Sequence, residues 1–458
     1  MKVLFVAHQF FPEHFAGVEV LTLWLAREFK ARGHEPYVFA AKRSFPVHDM
    51  RPGEIENYEY DGIPVRRVGR PREGLRFHYG RLNYENETMA ARAREYAREI
   101  GPDVVHAMNF QGISASVVPA FKELGLPIVY TATDFWVVCP VVDLRRHDGA
   151  MCRGPDLAHC PRCIVDRTPM RRRFVARTAK KILDLTPNVA FKAAGGLSET
   201  RLSVYSHTLR QLHNIGERPE YIRGAMEQVD HIIAPSQITR DLLTSNGIGA
   251  EKIEVSHYGI ETSYIHSAPK KRNLRSPLRL GFNGTLAPHK GCDILIRAFK
   301  SLPPEADATL TIHGNLQRFK PFVEELRRLA GEDERITFAG AFAREKVGQV
   351  LSEIDVLVVP SRWYENAPVV IYEAFAAGVP VVATNLGGLT ESVRHEENGL
   401  LFELEDARDL AWQLRRLLEE PGLLEKLRSG IGPVKTVEEK VDELERLYGT
   451  LMEKRAAI

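Results

Sequence analysis

WYENAPVVIYEAFAAGVPVV, residues 363–382, carries two carboxylates, Glu365 and Glu373, in an otherwise almost wholly apolar run. Pro368 suits the first turn of a helix and Gly378 suits its end. Glu365 is therefore expected just before a helix N-terminus, and Glu373 inside the helix between Tyr372 and Ala374. A buried carboxylate without partners is costly, so each acid calls for hydrogen-bond donors. A sugar or ribose diol offers two hydroxyls, and the helix N-terminus between the acids attracts a phosphate. Hydroxyls, phosphate and hydroxyls, in that order, describe a nucleotide sugar. An ion pair to a distant Arg or Lys satisfies the same acids and stays open as the plainer reading.

Outward from this stretch, short apolar runs alternate with helical patterns. LRLGFNG (278–284), ATLTIHG (308–314), RITFAG (335–340), DVLVVPS (355–361) and PVVAT (380–384) read as strands. The first half repeats the pattern with KVLFVA, YVFAA, PDVVHA (102–107), PIVYTAT (127–133) and HIIAPS (231–236). Near-continuous apolar strands are those of a parallel sheet covered on both faces. Between the first two, Val18, Leu21, Leu25 and Phe29 recur at helical spacing, and Gly33 ends the helix. The expected architecture is α/β, with two tandem Rossmann-like, doubly wound domains and an interdomain cleft at the carboxyl ends of the strands. The expected boundaries are 1–265, 266–435 and a charged C-terminal helix over 436–458 that crosses back to the first domain. SAPKKRNLRSP (267–277) reads as the linker. Residues 164–228 form a basic insertion with RRR at 171–173 and KK at 180–181, expected to be helical with a loop at 186–198. It is either a solvated insertion or an acceptor-binding or membrane-surface element.

The bulk properties are those of a soluble globular protein. The chain has 458 residues, 44% hydrophobic and 27% charged, with a net charge of +2. That balance gives no field to recruit nucleic acid, and no apolar run is long enough to span a membrane. MKVLFVAHQFF reads as a first strand rather than a secretion signal, so the cytoplasm is expected, with peripheral contact at the inner face of the membrane as the place for the basic insertion. Four of the five cysteines, Cys139, Cys152, Cys160 and Cys163, are spaced C-x12-C-x7-C-x2-C. In a reducing compartment that clustering favours metal, and CPRC fits half of a tetrahedral structural zinc site. Free or disulfide-bonded cysteines and an iron–sulfur centre stay open. Cys292 reads as a packed helix residue.

Three glycine turns follow strands. GFNGTLAPHKG (281–291) offers Gly284 and Thr285 at a tight turn and Lys290 as a point charge for a diphosphate. HGN (313–315) places Gly314 where a nucleotide base passes. In PEHFAGVEV (12–20), Gly17 opens a helix whose free N–H groups would face a phosphate. Ordinary turns account for each of these equally well. No Asp-x-Asp triplet occurs, so the inferred donor site needs no metal and its cationic role falls to Lys290 and helix N-termini.

Taken together, the Gly-x-Leu…Lys-Gly loop at 284–291, DVLVVPS, the Glu365/Glu373 pair, AAGVPVVAT (376–384), GGLTESV (387–393) and NGLLF (398–402) resemble the signature of family 4 retaining glycosyltransferases of the GT-B fold. The resemblance covers the chain outside 164–228. It implies transfer of a hexose from a nucleotide diphosphate sugar to a saccharide or lipid-linked acceptor, in bacterial envelope polysaccharide or glycolipid synthesis, by a front-face mechanism with no cofactor. It implies that Glu373 accepts from the donor ribose, that Glu365 meets the sugar hydroxyls, and that Lys290 binds the diphosphate with Gly17 close by. The backbone after Glu365, at Asn366, Ala367 and Val369, would cradle the phosphate next to the sugar. Lys290 and Glu365 are the expected catalytic pair; His106, Thr133 and Asp134 would lie on the acceptor side. Four positions depart from the pattern. Thr285 stands where a diphosphate-binding Arg is usual, Pro368 where Gly is, Thr133 where His often is, and Met108 where a second His often is. A catalytically weak or inactive sugar-nucleotide-binding protein is the alternative.

Overall fold

In the computed structural model, residues 1–13, 16–42, 50–70, 80–156, 158–166, 205–265 and 277–456 are described. The basic runs at 171–173 and 180–181, the expected loop at 186–198 and the linker up to residue 276 lie outside them. The described residues divide into two units, Met1–Ser256 with Val441–Ile458, and His257–Lys440.

The first unit is built on eight strands: β1 (Lys2–Ala7), β2 (Glu35–Lys42), β3 (Ile55–Tyr60), β4 (Ile63–Gly69), β5 (Val104–Ala107), β6 (Ile128–Thr131), β7 (His231–Ala234) and β8 (Ile253–Val255). Their order is β3-β4-β2-β1-β5-β6-β7-β8. All pairs are parallel except the β3–β4 hairpin. Val3–Ala7 of β1 are fully buried, as expected for a central strand covered on both faces. The helix Gly17–Ala31 lays Leu21, Leu25 and Phe29 on the sheet.

The second unit carries six parallel strands: β9 (Leu278–Asn283), β10 (Ala308–His313), β11 (Ile336–Gly340), β12 (Val356–Val359), β13 (Val381–Thr384) and β14 (Gly399–Phe402). Their order is β11-β10-β9-β12-β13-β14. Leu280, Phe282, Leu310 and Ile312 meet Ile294, Leu295 and Phe299 of the helix Cys292–Lys300 in one core. In both sheets the strand order reverses beside the first strand of the unit: β1 lies between β2 and β5, and β9 between β10 and β12. The crevice at such a reversal, outside the carboxyl ends of the strands, is where open α/β sheets bind ligands.

Two expectations on organisation are revised, the first domain's end at 265 and the solvated reading of the insertion, while the last helix follows the expected course. Residues 257–265 belong to the second unit, because Ile260 accepts from Val437 N and donates to Lys435 O, and Ile265 packs among Val347, Leu351 and Ile354. The helix Val437–Ala456 passes from the second unit into the first at Val441. There Tyr448 is fully buried and stacks on Phe29 at 5.6 Å. The described C-terminal part of the insertion, the helix Tyr205–Glu227, is not a solvated element: Arg218, Ile222 and Met226 on it are buried.

Candidate functional site

At the reversal in the second unit, the loops leaving β9 and β12 meet backbone to backbone. Gly291 has φ of +69°, and any Cβ there would run into the Pro360 carbonyl. Arg362 N–H donates to His289 O at 2.8 Å. The close approach brings two residues of opposite charge together: Lys290 Nζ donates to Glu365 Oε1 at 2.6 Å. The same oxygen accepts from Ser361 Oγ at 2.7 Å and Trp363 Nε1 at 2.8 Å. The Trp363 ring also lies 5.0 Å from Lys290 Nζ, a cation–π distance, and 4.3 Å from the His289 ring. Burial works to raise the Glu365 carboxyl, but the Lys290 charge and these donors outweigh it and hold it below the usual range. Glu365 is therefore an anion at neutral pH and Lys290 its fixed cation.

Glu365 leads into the helix Val369–Ala376, whose N-cap is Pro368 and has no side-chain cap. Of the N–H groups of its first turn, that of Ile371 donates to Pro368 O at 3.0 Å, while those of Val369 and Val370 lie before any acceptor the helix can offer. Asn366 and Ala367 are buried just before it. Gly388 donates to Glu365 O at 3.1 Å, and a side chain there would collide with the carbonyls of Glu365 and Asn366. The double glycine of GGLTESV thus lets the loop after β13 close on this turn. Gly314 has the same role in the loop after β10, because a Cβ there would strike Gly284 O and Leu286. Gly284 itself has ordinary room for a side chain. The Thr285 carbonyl accepts from Ala287 N at 2.8 Å within the turn.

Glu373 is 1% exposed in the middle of this helix, and Arg344 from the loop after β11 ion-pairs with it. With Lys290 on Glu365 and Arg344 on Glu373, both acids have the distant basic partner of the plainer reading. Burial lowers the Arg344 pKa, against the raising effect of Tyr264. Arg362, in the loop after β12, does not replace the arginine usual at Thr285: it spends its guanidinium on Asp293 at 2.7 and 2.6 Å and on Pro288 O at 2.8 Å.

The first unit has a polar cluster at its own reversal. His8 follows β1, Asn109 follows β5, Asp134 follows β6, and Glu19 sits in the first turn of the helix Gly17–Ala31. Asn109 Oδ1 accepts from His8 N at 2.8 Å. Asn109 Nδ2 lies 2.9 Å from His8 Nδ1 and 3.3 Å from Asp134 Oδ2. Because the amide donates to Nδ1, the imidazole proton sits on Nε2, which lies 3.4 Å from Glu19 Oε1. Burial pushes the Asp134 carboxyl up to about 6, against the lowering hydrogen bonds of Trp136 N and Asn109. Gly17 opens its helix with clear space around it.

The acceptor-side expectation thus needs correcting. His106 is fully buried within β5, where its ring nitrogens meet Tyr448 Oη and, at 2.7 Å, Thr131 Oγ1. It is a satisfied core histidine. Thr133 uses its hydroxyl on Met108 O. Of the three expected residues, Asp134 alone joins the cluster. His8, Glu19 and Asn109 were missed, although each of His8, Asn109 and Asp134 is a polar residue just past an apolar strand run.

Cys139, Cys152, Cys160 and Cys163 are all reduced and line one cavity of about 20 Å3 together with His159. Burial pushes the Cys139 thiol up to about 11 and the Cys160 thiol up to about 12, which makes them poor nucleophiles. Among the described residues, the set of three potential ligands with donor atoms within 4.8 Å of one another is His147, Asp148 and His159. Cys292 is a fully buried helix residue, as its sequence context suggests.

Comparison with known proteins gives this geometry a family. The Glycosyltransferase Family 4 profile matches residues 15–264, and the Glycosyl transferases group 1 profile matches residues 277–420. Among curated relatives, an uncharacterized glycosyltransferase, MJ1607, of Methanocaldococcus jannaschii is 33% identical over 232 residues, covering 48% of this chain and 58% of the relative. A GDP-mannose-dependent alpha-(1-6)-phosphatidylinositol monomannoside mannosyltransferase of Mycobacterium tuberculosis is 33% identical over 199 residues, covering 40% of this chain and 51% of the relative. The chain thus spans about half the length of the curated relatives it matches. Among solved structures, Anabaena Alr3699/HepE in complex with UDP and glucose superposes with a TM-score of 0.60 at 18% identity, covering 100% of both chains. At that identity the likeness is one of fold.

Proposed function

The chain belongs to glycosyltransferase family 4, with the two parallel α/β sheets of the GT-B fold, and from that premise we propose that it is a retaining hexosyltransferase using a nucleotide diphosphate sugar without metal. The observation that carries the proposal is the Lys290–Glu365 pair, held where the second sheet reverses and directly before an uncapped helix N-terminus. A diphosphate there meets a cation and free N–H groups together. Glu365 Oε1 orients Lys290, and the carboxylate has a second oxygen to offer the sugar hydroxyls. The ribose diol takes its place at Glu373, where its hydroxyls compete with Arg344.

In such a site no protein nucleophile is needed. The bond from the sugar's anomeric carbon to the diphosphate breaks as the bond to the acceptor oxygen forms on the same face. The departing diphosphate oxygen takes the acceptor proton. The protein stabilises the leaving charge and positions the acceptor. His8, Asn109 and Asp134 are assigned to the acceptor. The acceptor class is a saccharide or lipid-linked hydroxyl of envelope polysaccharide or glycolipid synthesis, in the cytoplasm with peripheral membrane contact. Among the described residues no helix is long and apolar enough to cross a membrane.

A second reading, a protein that binds the donor without turning it over, is favoured by one observation: the Thr133 hydroxyl is committed to Met108 O. A panel of nucleotide diphosphate sugars with and without an acceptor extract separates the two. Release of nucleoside diphosphate that depends on the extract supports transfer; donor-induced thermal stabilisation without release supports the second reading.

A further inference from the structure

We propose that Cys139, Cys152, Cys160 and Cys163 bind one zinc ion as a closed tetrathiolate, and that this ion, in place of an apolar core, fixes the chain from 139 to 164. The inference is independent of the donor-site assignment and concerns a different part of the first unit.

The first support is convergence. The four cysteines come from three separate places: the turn after β6, the residue after the Arg145–Met151 bridge, and one face of the helix Cys160–Asp166, where Cys160 and Cys163 are three apart. They line a single cavity of about 20 Å3. A space of that size holds one water-sized occupant, which excludes an iron–sulfur cluster without rebuilding the loop.

The second support is what the segment lacks. Among the described residues, a small apolar cluster of Cys160, Ile164 and Ile215 with Val141 packed against them, and the buried Leu144, are what the segment offers. Its regular structure is one isolated bridge and one seven-residue helix. A fold this poor in core needs a staple. Yet the backbone here is held in costly conformations: Val142 and Leu144, neither a glycine, have φ of +77° and +48°. No disulfide supplies the staple, since none of the four cysteines is joined to another.

The third support is charge. Four thiolates around one divalent cation leave a net charge of −2. The cavity is lined by Arg145 and Arg146, and the buried Arg218 interacts electrostatically with Cys139 and Cys160. Asp156 N–H donates to Cys160 Sγ at 3.2 Å, a bond that favours a thiolate over a thiol. Soft thiolate ligands select zinc among common divalent ions, and four protein ligands leave no open position for chemistry.

Ligation requires a local adjustment. A tetrahedral site with zinc–sulfur bonds of about 2.3 Å sets the sulfurs about 3.8 Å apart, closer than they stand, since no three come within 4.8 Å of one another. Cys152 Sγ, which now lies 2.9 Å from Gly154 O, has to turn inward. Each thiol gives up its proton as its bond to zinc forms, so loading releases four protons.

The test is elemental analysis of the full chain, purified without chelator under reducing conditions from zinc-supplemented medium, with cobalt substitution as a second readout on the unaltered chain. One zinc per chain is expected, with loss of that equivalent in Cys160→Ser and Cys163→Ser. Cobalt loading should give sulfur-to-metal charge-transfer absorption with tetrahedral d–d bands. Stripping the metal should lower Tm and expose four additional titratable thiols. Metal-free protein with an unchanged Tm after zinc addition overturns the proposal. Zinc that survives Cys160→Ser but is lost in His159→Ala, with no sulfur charge-transfer band, also overturns it and moves the ion to His147, Asp148 and His159.

Discussion

Lys290 and Glu365 stand 75 residues apart in the chain and 2.6 Å apart in space. Their meeting is a product of topology: β9 and β12 are neighbours in the second sheet, so the loops that leave them open into one crevice. The donor-side account rests on this pair.

Removing the cation tests its part in catalysis. Lys290→Ala should cut turnover on the order of 10²–10³-fold, as loss of one fixed donor to a developing oxyanion does. It also leaves Glu365 buried beside only Ser361 and Trp363, which should cost about 2 kcal/mol in urea unfolding. Steady-state rates at saturating donor check the first effect, and the urea midpoint checks the second.

The same pair sets an acid limit. The Glu365 pKa is lowered in the folded chain below 4.5. Its contribution to stability is therefore complete above the unfolded value and is lost as pH falls through the lower, folded one. Glu365→Gln should flatten the stability profile in that acid window and leave its shape near neutral pH unchanged. Urea titrations at stepped pH report this.

The Arg344–Glu373 ion pair predicts competition between protein and ligand. Arg344→Ala leaves Glu373 buried without its cation and should lower the stability of the free chain by about 2 kcal/mol. Donor ribose hydroxyls then satisfy the acid, so nucleotide diphosphate sugar should raise Tm more in Arg344→Ala than in the unaltered chain. Glu373→Ala should abolish most of that shift.

Asp134 predicts a slope of the opposite sign. Burial raises its pKa from 3.8 to about 6. The stability linked to its bound proton is full below the unfolded value and lost as pH rises through about 6. Asp134→Asn should remove that loss and stabilise the chain at pH 7 by about 1–2 kcal/mol. His8→Ala, in the same cluster, should slow transfer to acceptor by about tenfold to a hundredfold, with the donor-induced Tm shift unchanged.

The strands were legible because parallel β-runs buried on both faces are apolar throughout, as in KVLFVA and DVLVVPS. The two acids and Lys290 were legible as residue types at strand and helix ends. Their pairings were not, because a partner such as Arg344 comes from a loop whose place depends on strand order. His106 shows the same limit: the tyrosine that satisfies it, Tyr448, lies 342 residues away. The β3–β4 hairpin had a local signal that went unread, since Asp61–Gly62 at φ of +58° and +68° is a favoured two-residue turn. Arg218 sat in a segment whose basic composition was read as a solvated insertion or an acceptor-binding or membrane-surface element, whereas its guanidinium donates to the carbonyls of Trp136 and Val137.

The most direct test is a crystal structure of the chain with a bound nucleoside diphosphate. The diphosphate should lie within hydrogen-bond reach of Lys290 Nζ and the N–H groups at the start of the helix Val369–Ala376, with the ribose hydroxyls on Glu373. A nucleotide bound away from that helix, with Lys290 still closed on Glu365 and Arg344 on Glu373, would contradict the account.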